Sequence, residues 1–534
     1  MFKARTEYHW GRVMRCYAER PPTVDAMFRQ TVARVPNAEA VVDGSIRVDY
    51  LELDARVERV AAGLAARGVR ADDRVAVMLD NRVEVVIAVL AISRLGAVLV
   101  TIGTRLRRPE IAYIFGDAAP VAIIYESSLV DELPVEGPAA DMRFSVGAGD
   151  RGACFDDLAS SGATFSACPD WREEALFAIL YTSGTTGRPK GAMLTHLGVV
   201  HSCLHWVDRL DLRHDESTVL CIPWSHVAGL CGVMLPFLYI GGRQVMMAPF
   251  NRRAFLHLAS AERITHALLV PAMYGLCLMD PDLSRFDLSH WRIGVFGGAP
   301  MPEATVRRFA EAVPGLVLCN GYGATETASP ATIMPPGDGM THTDSIGKVV
   351  TCGEIRVMDD DGKEVLAGQN GELWIAGPMV SPGYWRNEAA TAASFAGGFW
   401  KSGDIGSIDA DGYVRIADRK KDMINRSGFK VYPAEVENVL CEIPAVIEAA
   451  VVGRHDGILG ECVIAFVNAR PPASGAEKTA LTEAAVRAFC VTRMANYKVP
   501  SRVVVGFESL PRNANGKIQK DQLRARAAEL PSVS

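Results

Sequence analysis

Apolar residues recur along the first half of the chain with two periods, and their alternation predicts the architecture. Leu53 to Arg67 carries them at helical spacing with polar residues between, the pattern of an amphipathic helix. Arg74–Leu79 (Arg-Val-Ala-Val-Met-Leu) is a short apolar run that predicts a buried strand. A helix over Val83–Leu95 and a strand over Ala97–Ile102 follow. Strand, helix and strand in succession imply a parallel sheet with crossover helices. The same texture returns at Ala175–Leu180, His266–Val270, Arg292–Phe296 and Leu316–Leu318.

Beyond the Gly/Pro-rich stretch Met334–Thr343 the pattern changes to short strands separated by tight turns. Glu354–Met358, Glu372–Ile375 and Tyr413–Ile416 read as strands, and Asp359–Gly362 and Asp409–Gly412 as turns. This is all-β texture closing a large first domain, here 1–420. The charge run Asp418–Asp422 opens a second, small one, 421–534.

The chain has 534 residues and a net charge of −6, which argues against a general nucleic-acid binder. The charge is uneven: Arg419 to Ser534 carries +5 and the part before it −11. A basic unit on an acidic one suits a polyanionic substrate, although a solvated surface gives the same count. The longest apolar stretch, Ser217–Gly242, is interrupted by Pro223 and Pro236, leaving the length of a buried core helix rather than a membrane span. The twelve cysteines lack the close spacing of zinc or redox sites. Met1–Arg20 reads as an amphipathic helix without a signal-type core, and the C-terminus carries no sorting address. The expectation is a reduced, cytoplasmic protein without a transmembrane segment or nucleic-acid partner, monomeric or homodimeric.

The chemistry concentrates in Tyr181-Thr182-Ser183-Gly184-Thr185-Thr186-Gly187-Arg188-Pro189-Lys190-Gly191. Glycines let backbone N–H groups turn towards an anion, hydroxyls add donors and the lysine adds charge. That combination after a strand points to phosphate, and the spacing is not that of a Walker A loop. Glu326 is a hard oxygen donor of the kind that suits Mg²⁺. Asp404 is a carboxylate that can accept from paired hydroxyls, and Arg419 offers a rigid donor fork.

Taken together, these strings resemble the adenylate-forming superfamily of acyl-CoA synthetases, peptide-synthetase adenylation domains and luciferases, with 4-coumarate–CoA ligase-like acid–CoA ligases as the likeness. The resemblance runs from about Asp25 to Gln522 with the motifs in family order. Thr182, Ser183, Gly184, Thr185, Thr186 and Lys190 match the phosphate loop; Gly297-Gly298-Ala299-Pro300 matches the adenine-flanking loop; Asn320 and Gly321-Tyr322-Gly323-Ala324-Thr325-Glu326 match the Y-G-x-T-E segment. Ser402-Gly403-Asp404 matches the ribose motif, and Asp418-Arg419-Lys420-Lys421 with Gly428-Phe429-Lys430 the hinge and pantetheine segment. Pro511 to Lys517 matches the segment with the catalytic lysine.

The resemblance implies a fold: an α/β N-terminal domain of parallel-rich sheets with a small β-barrel-like subdomain, then a small α+β lid pivoting at Lys421. It implies ATP, Mg²⁺ and coenzyme A, with Lys517, Glu326, Thr325 and His226 catalytic and Glu326 the metal ligand. Asp404 and Arg419 would take the ribose, and Gly428, Phe429 and Lys430 the pantetheine. The acyl pocket would be lined by His226, Gly229, Gly297, Gly298 and Ala324. Ser225 stands where the family usually has Phe. The small residues Gly297, Gly298 and Ala324 suggest room for a medium-sized, mainly apolar aryl or alkyl monocarboxylate. The implied activity is an acid–CoA ligase acting through an acyl adenylate. The alternative is an amide-forming ligase in which an amine intercepts the same adenylate.

Overall fold

The short apolar runs are strands, and they build two sheets. In the first the spatial order is Lys190–Thr195, Leu176–Thr182, Val98–Thr101, Arg74–Met78, Ala122–Glu126, Arg143–Val146, Ala153–Cys154, parallel except for the Leu176–Thr182/Lys190–Thr195 pair. In the second, Glu39–Asp43, Arg243–Met246, Ser217–Leu220, His266–Leu269, Ile293–Gly297 and Val317–Tyr322 run parallel, with short antiparallel strands at both edges. Val98–Thr101, Ser217–Leu220 and His266–Leu269 are buried at every residue. Crossover helices cover both faces of such strands, so apolar residues run continuously instead of alternating.

The computed structural model describes residues 3–147, 153–160, 172–182, 188–427, 429–457, 459–471, 481–512 and 518–531. Two units are distinguished: Met1–Gly298 with Arg307–Ile355 and Trp374–Lys401, and Ala299–Val306 with Arg356–Leu373 and Ser402–Ser534.

In the first unit, the opening segment corrects the expectation of a helix. Ala4–His9 and Arg12–Tyr17 form an antiparallel hairpin. Its two-residue turn is Trp10–Gly11, with φ of 48° and 76°. Positive φ at both turn positions matches the right-handed strand twist. Cys16 and Tyr17 are fully buried, and Tyr17 stacks on His201 at 5.7 Å. These tertiary contacts outweigh the helical pattern.

The apolar stretch Ser217–Gly242 is a strand followed by helical turns over Val227–Ile240, interrupted by a π-turn at Leu230–Met234. Pro236 has no N–H for the carbonyl four residues back, and the Leu235 N–H reaches Leu230 instead, widening the turn. Among the described residues no helix is long and apolar enough to cross a membrane.

In the second unit, the end of Phe399–Ile408 pairs with Val414–Arg419, setting Asp404 opposite Arg419. Beyond them lies a five-stranded sheet of Phe429–Val431, Ile424–Arg426, Gly460–Ala469, Val446–Asp456 and Arg502–Gly506. Val451, Val463 and Ala465 face one way, towards the helix residues Val436, Leu440 and Val486; Val452, Cys462 and Ile464 face the other, towards Leu523 and Ala527. The two-residue period of the strands divides this core between two faces.

One buried charge ties three helices of the first unit together. Arg94, at the end of the Val83–Arg94 helix, is 1% exposed and places Nε 2.8 Å from Asp25. Its Nη atoms reach Asp54 at 2.5 Å and Glu58 at 3.0 Å on the Tyr50–Ala66 helix. Removing one member of a buried pair leaves the other uncompensated. Arg94→Ala is therefore expected to lower stability by about 3–5 kcal/mol in chemical denaturation. A loss below about 1 kcal/mol would place the cluster among ordinary exposed ion pairs.

Candidate active site

Two of the phosphate-loop candidates, Thr182 and Lys190, sit on a hairpin. Leu176–Thr182 returns as Lys190–Thr195 with Thr182 opposite Lys190, so the lysine lies at the mouth of the connecting loop. Ser183, Gly184, Thr185 and Thr186 lie outside the described residues. A further segment, 381–385, is hydrogen-bonded to the returning strand. The Trp385 N–H donates to Gly191 O at 2.7 Å, the Met193 N–H to Gly383 O at 3.1 Å, and Tyr384 forms an antiparallel bridge with Ala192. Side chains two apart on a strand share a face. Lys190 accordingly carries its Nζ 5.1 Å from the centroid of the Tyr384 ring.

The same tyrosine reaches Glu326. Its hydroxyl donates to Glu326 Oε1 at 2.8 Å, and the Ser381 N–H donates to the Glu326 backbone oxygen at 2.7 Å. Glu326 and Thr325 are each 8% exposed, in the turn that follows Val317–Tyr322. The Ala324 N–H donates to Thr327 Oγ1 at 2.9 Å and holds the turn closed. Burial, then the adjacent Glu326 carboxylate, raise the Tyr384 phenol above its ordinary range, so it remains a donor. The structure thus brings Lys190 and Glu326 together through a residue that sequence reasoning missed. In Ser-Pro-Gly-Tyr the tyrosine reads as a loop residue, and its only signal is a large aromatic beside turn formers.

Close contacts account for the absence of a side chain at three of the candidate glycines. A Cβ on Gly297 would lie 2.3 Å from Gly321 O on the paired parallel strand, and one on Gly229 2.3 Å from Pro223 O. A Cβ on Gly321 would lie 2.6 Å from Cη2 of Trp206, a second residue that sequence reasoning missed. Backbone and indole occupy the space these side chains would take. Gly298, by contrast, has φ of 76° and, among the described residues, no atom within 4 Å of its Cβ position, so its conformation is the constraint. Gly298, Ala299 and Pro300 are exposed after their strand; Asn320 and Tyr322 are part-buried at the end of theirs.

His226 stands at the start of the turn that continues into the π-turn. Its Nδ1 accepts from the Ala228 N–H at 3.2 Å, which leaves the proton of the neutral ring on Nε2. The turn is braced from below: Trp224 Nε1 donates to Leu79 O at 2.6 Å, and the Asn81 carboxamide donates to Leu220, Ile222 and Met247 carbonyls.

In the second unit, Asp404 is buried, and Arg419 Nε lies 2.6 Å from its Oδ1. Gly403 between Ser402 and Asp404 has φ of 69°, and its N–H donates to Glu372 Oε1 at 3.1 Å. Lys421 is exposed in the turn between Val414–Arg419 and Ile424–Arg426. Phe429 is 56% exposed and stacks on Tyr497 at 4.8 Å; Lys430 beside it is exposed. Gly428 and Lys517 lie outside the described residues.

Comparison with known proteins places these motifs in a family. The AMP-binding enzyme family matches residues 28–385, and the AMP-binding enzyme C-terminal domain matches 435–517. The chain belongs to the AMP-binding enzymes. It is 33% identical to the long-chain-fatty-acid–CoA ligase FadD13 of Mycobacterium tuberculosis, over 93% of this chain and 97% of that one. It is 35% identical to a feruloyl-CoA synthase of an Amycolatopsis species, over 92% and 96%. ATP-bound MatB from Rhodopseudomonas palustris superimposes with a TM-score of 0.85 at 32% identity, covering 95% of this chain and 99% of that one. This AMP-binding enzyme is an AMP-forming acid–CoA ligase: ATP and coenzyme A are its substrates, and the acid passes through an acyl adenylate. The amine-accepting alternative is not favoured.

The Gly297–Gly321 approach gives a direct test of the packing. Gly297→Ala is expected to force the two strands apart, lowering stability by about 1–3 kcal/mol and reducing adenylation with it. Thermal unfolding and pyrophosphate release measure the two effects. A variant that melts with the wild type would show that the strands have room.

Proposed function

We propose that the substrate is a medium-sized, mainly apolar monocarboxylate, aryl or alkyl, and that the residues read from the motifs carry its activation. The observation that carries this reading is the line from the part-buried Lys190 through the buried Tyr384 ring to the buried Glu326 carboxylate. The long-chain fatty acyl and feruloyl relatives support an apolar acid of either kind.

In the first half-reaction a carboxylate oxygen attacks the α-phosphorus of ATP and pyrophosphate leaves, giving the acyl adenylate. Thr182, Ser183, Gly184, Thr185, Thr186 and Lys190 hold the phosphates. Gly298, Ala299, Pro300, Asn320, Gly321 and Tyr322 flank the adenine, and Asp404 and Arg419 take the ribose. His226, with its proton on Nε2, donates to the carboxylate and orients it. Thr325 lies beside Glu326 at the phosphates, and Lys517 stabilises the charge moving to pyrophosphate. A buried carboxylate fixed at one oxygen is a hard donor that fits Mg²⁺, so Glu326 would hold the ion, which when bound neutralises phosphate charge.

In the second half-reaction the CoA thiolate attacks the acyl carbon and AMP leaves. Residues 421–534 pivot at Lys421 between the halves, withdrawing Lys517 and presenting Gly428, Phe429 and Lys430 to the pantetheine. The described cysteines are free thiols, mostly buried, which suits a reducing cytoplasmic setting.

A panel of aryl and alkyl acids with Mg·ATP is expected to release AMP and pyrophosphate and to form a thioester only with CoA. AMP release that ignored CoA and followed added amines would overturn the reading. Within that assay the halves separate by mutation. Lys517→Ala is expected to slow adenylation by a factor on the order of 10² or more, while supplied acyl adenylate still becomes thioester. Lys421→Pro fixes φ at the pivot and is expected to impair thioester formation while sparing adenylation. Equal slowing of both halves in both variants would contradict the pivot.

A further inference from the structure

Lys190 and Glu326 come from different sheets. Lys190 begins the edge strand of the seven-stranded sheet, and Glu326 follows the Val317–Tyr322 strand of the nine-stranded one. Neither sheet by itself sets the distance between them. The segment 381–385 touches both. Its backbone is bonded to Gly191 and Met193 on one side and to the Glu326 carbonyl on the other. Its one large side chain pointing into this region, Tyr384, then meets the two ionic groups with two different parts of the same ring system.

We infer that Tyr384 is a positioning residue for adenylation, its hydroxyl fixing the Glu326 carboxylate and its ring face supporting the Lys190 ammonium. The inference rests on the phosphate-handling roles proposed for Lys190 and Glu326. A phenol O–H is one donor, and it is directed to Oε1 at 2.8 Å, which restricts rotation of the carboxylate and leaves Oε2 to set the direction of binding. The π-face attracts an ammonium without supplying a full negative charge. A carboxylate in the same place would pair with the lysine and compete with phosphate for it; a ring holds the side chain extended and leaves its charge for the ligand. The ring is itself braced: Phe395 packs edge-on at 5.8 Å, and the Tyr384 N–H donates to Thr391 Oγ1 at 3.0 Å. Ser381 Oγ donates to Gly383 O at 2.8 Å, fixing the turn that presents the tyrosine.

Two substitutions separate the hydroxyl from the ring. Tyr384→Phe keeps the ring over Lys190 and removes the bond to Glu326. Adenylation should fall about tenfold, and the Mg²⁺ concentration for half-maximal rate should rise several-fold. Conversion of supplied acyl adenylate to thioester should be unchanged. Tyr384→Leu removes both contacts and should in addition raise the KM for ATP about tenfold. Calorimetric titration with a non-hydrolysable ATP analogue gives a readout apart from turnover. Without metal, Tyr384→Phe should bind it as the wild type does and Tyr384→Leu more weakly; with Mg²⁺, Tyr384→Phe should show less than the wild-type gain.

A residue that only fills the core would not behave in this way. If the hydroxyl acts through Glu326, adding Tyr384→Phe to Glu326→Gln should cause little further loss. Equal losses from Tyr384→Phe in both backgrounds, or an unchanged Mg²⁺ dependence, would overturn the inference. Failure of the underlying reading looks different: Glu326→Gln and Lys190→Ala would then leave pyrophosphate release intact.

Discussion

The hydrogen-bonded seam between residues 381–385 and the Lys190–Thr195 strand is the contact on which the geometry of the first unit's site depends. Of the two sheets, one carries Lys190 at the start of its edge strand and the other is followed by the turn that carries Glu326. Sheet pairing fixes positions within each sheet and says nothing about the distance between loops. The seam supplies that distance through the Trp385–Gly191, Met193–Gly383 and Ser381–Glu326 backbone bonds. Backbone bonds of this kind are obligatory once the segment is buried, so the placement of Tyr384 follows from the same rule that makes a strand.

The electrostatics are economical. A buried carboxylate is costly unless hydrogen-bonded, and Tyr384 supplies the bond without adding charge. Contact with an aromatic face is worth about 0.5–2 kcal/mol, enough to bias the lysine's conformation. In the second unit the buried Asp404 and its Arg419 partner show a stiffer solution. There a charge is met by a charge across paired strands.

Much of this was legible in the amino-acid sequence because the signals were periodic or ordered. Arg74–Leu79 and Ala97–Ile102 announce themselves as buried strands by being apolar on both faces, and the motif strings keep a fixed order. The opening hairpin was not legible: it is held by Tyr17 packing on His201 and His205, long-range contacts without a local signature. At Gly297 the small residue reads in the sequence as room for a ligand, whereas a carbonyl of the paired strand meets the place of its side chain. A missing side chain looks the same in a sequence whether a substrate, a carbonyl or another strand fills its place. Tyr384 and Trp206 escaped because a single aromatic carries no period, and their partners lie far away along the chain.

The central claim is that a covalent acyl adenylate stands between the acid and the thioester. The most direct measurement is a single-turnover chase. Enzyme, Mg·ATP and a substrate acid are mixed without CoA, a portion is quenched for mass analysis, and the rest is chased with CoA and excess unlabelled acid. The account predicts acyl adenylate and pyrophosphate in equal amounts, up to one equivalent per active site, followed by conversion of the labelled acyl group to thioester with release of AMP. Absence of adenylate before the chase, or release of ADP and phosphate in place of AMP and pyrophosphate, would contradict it.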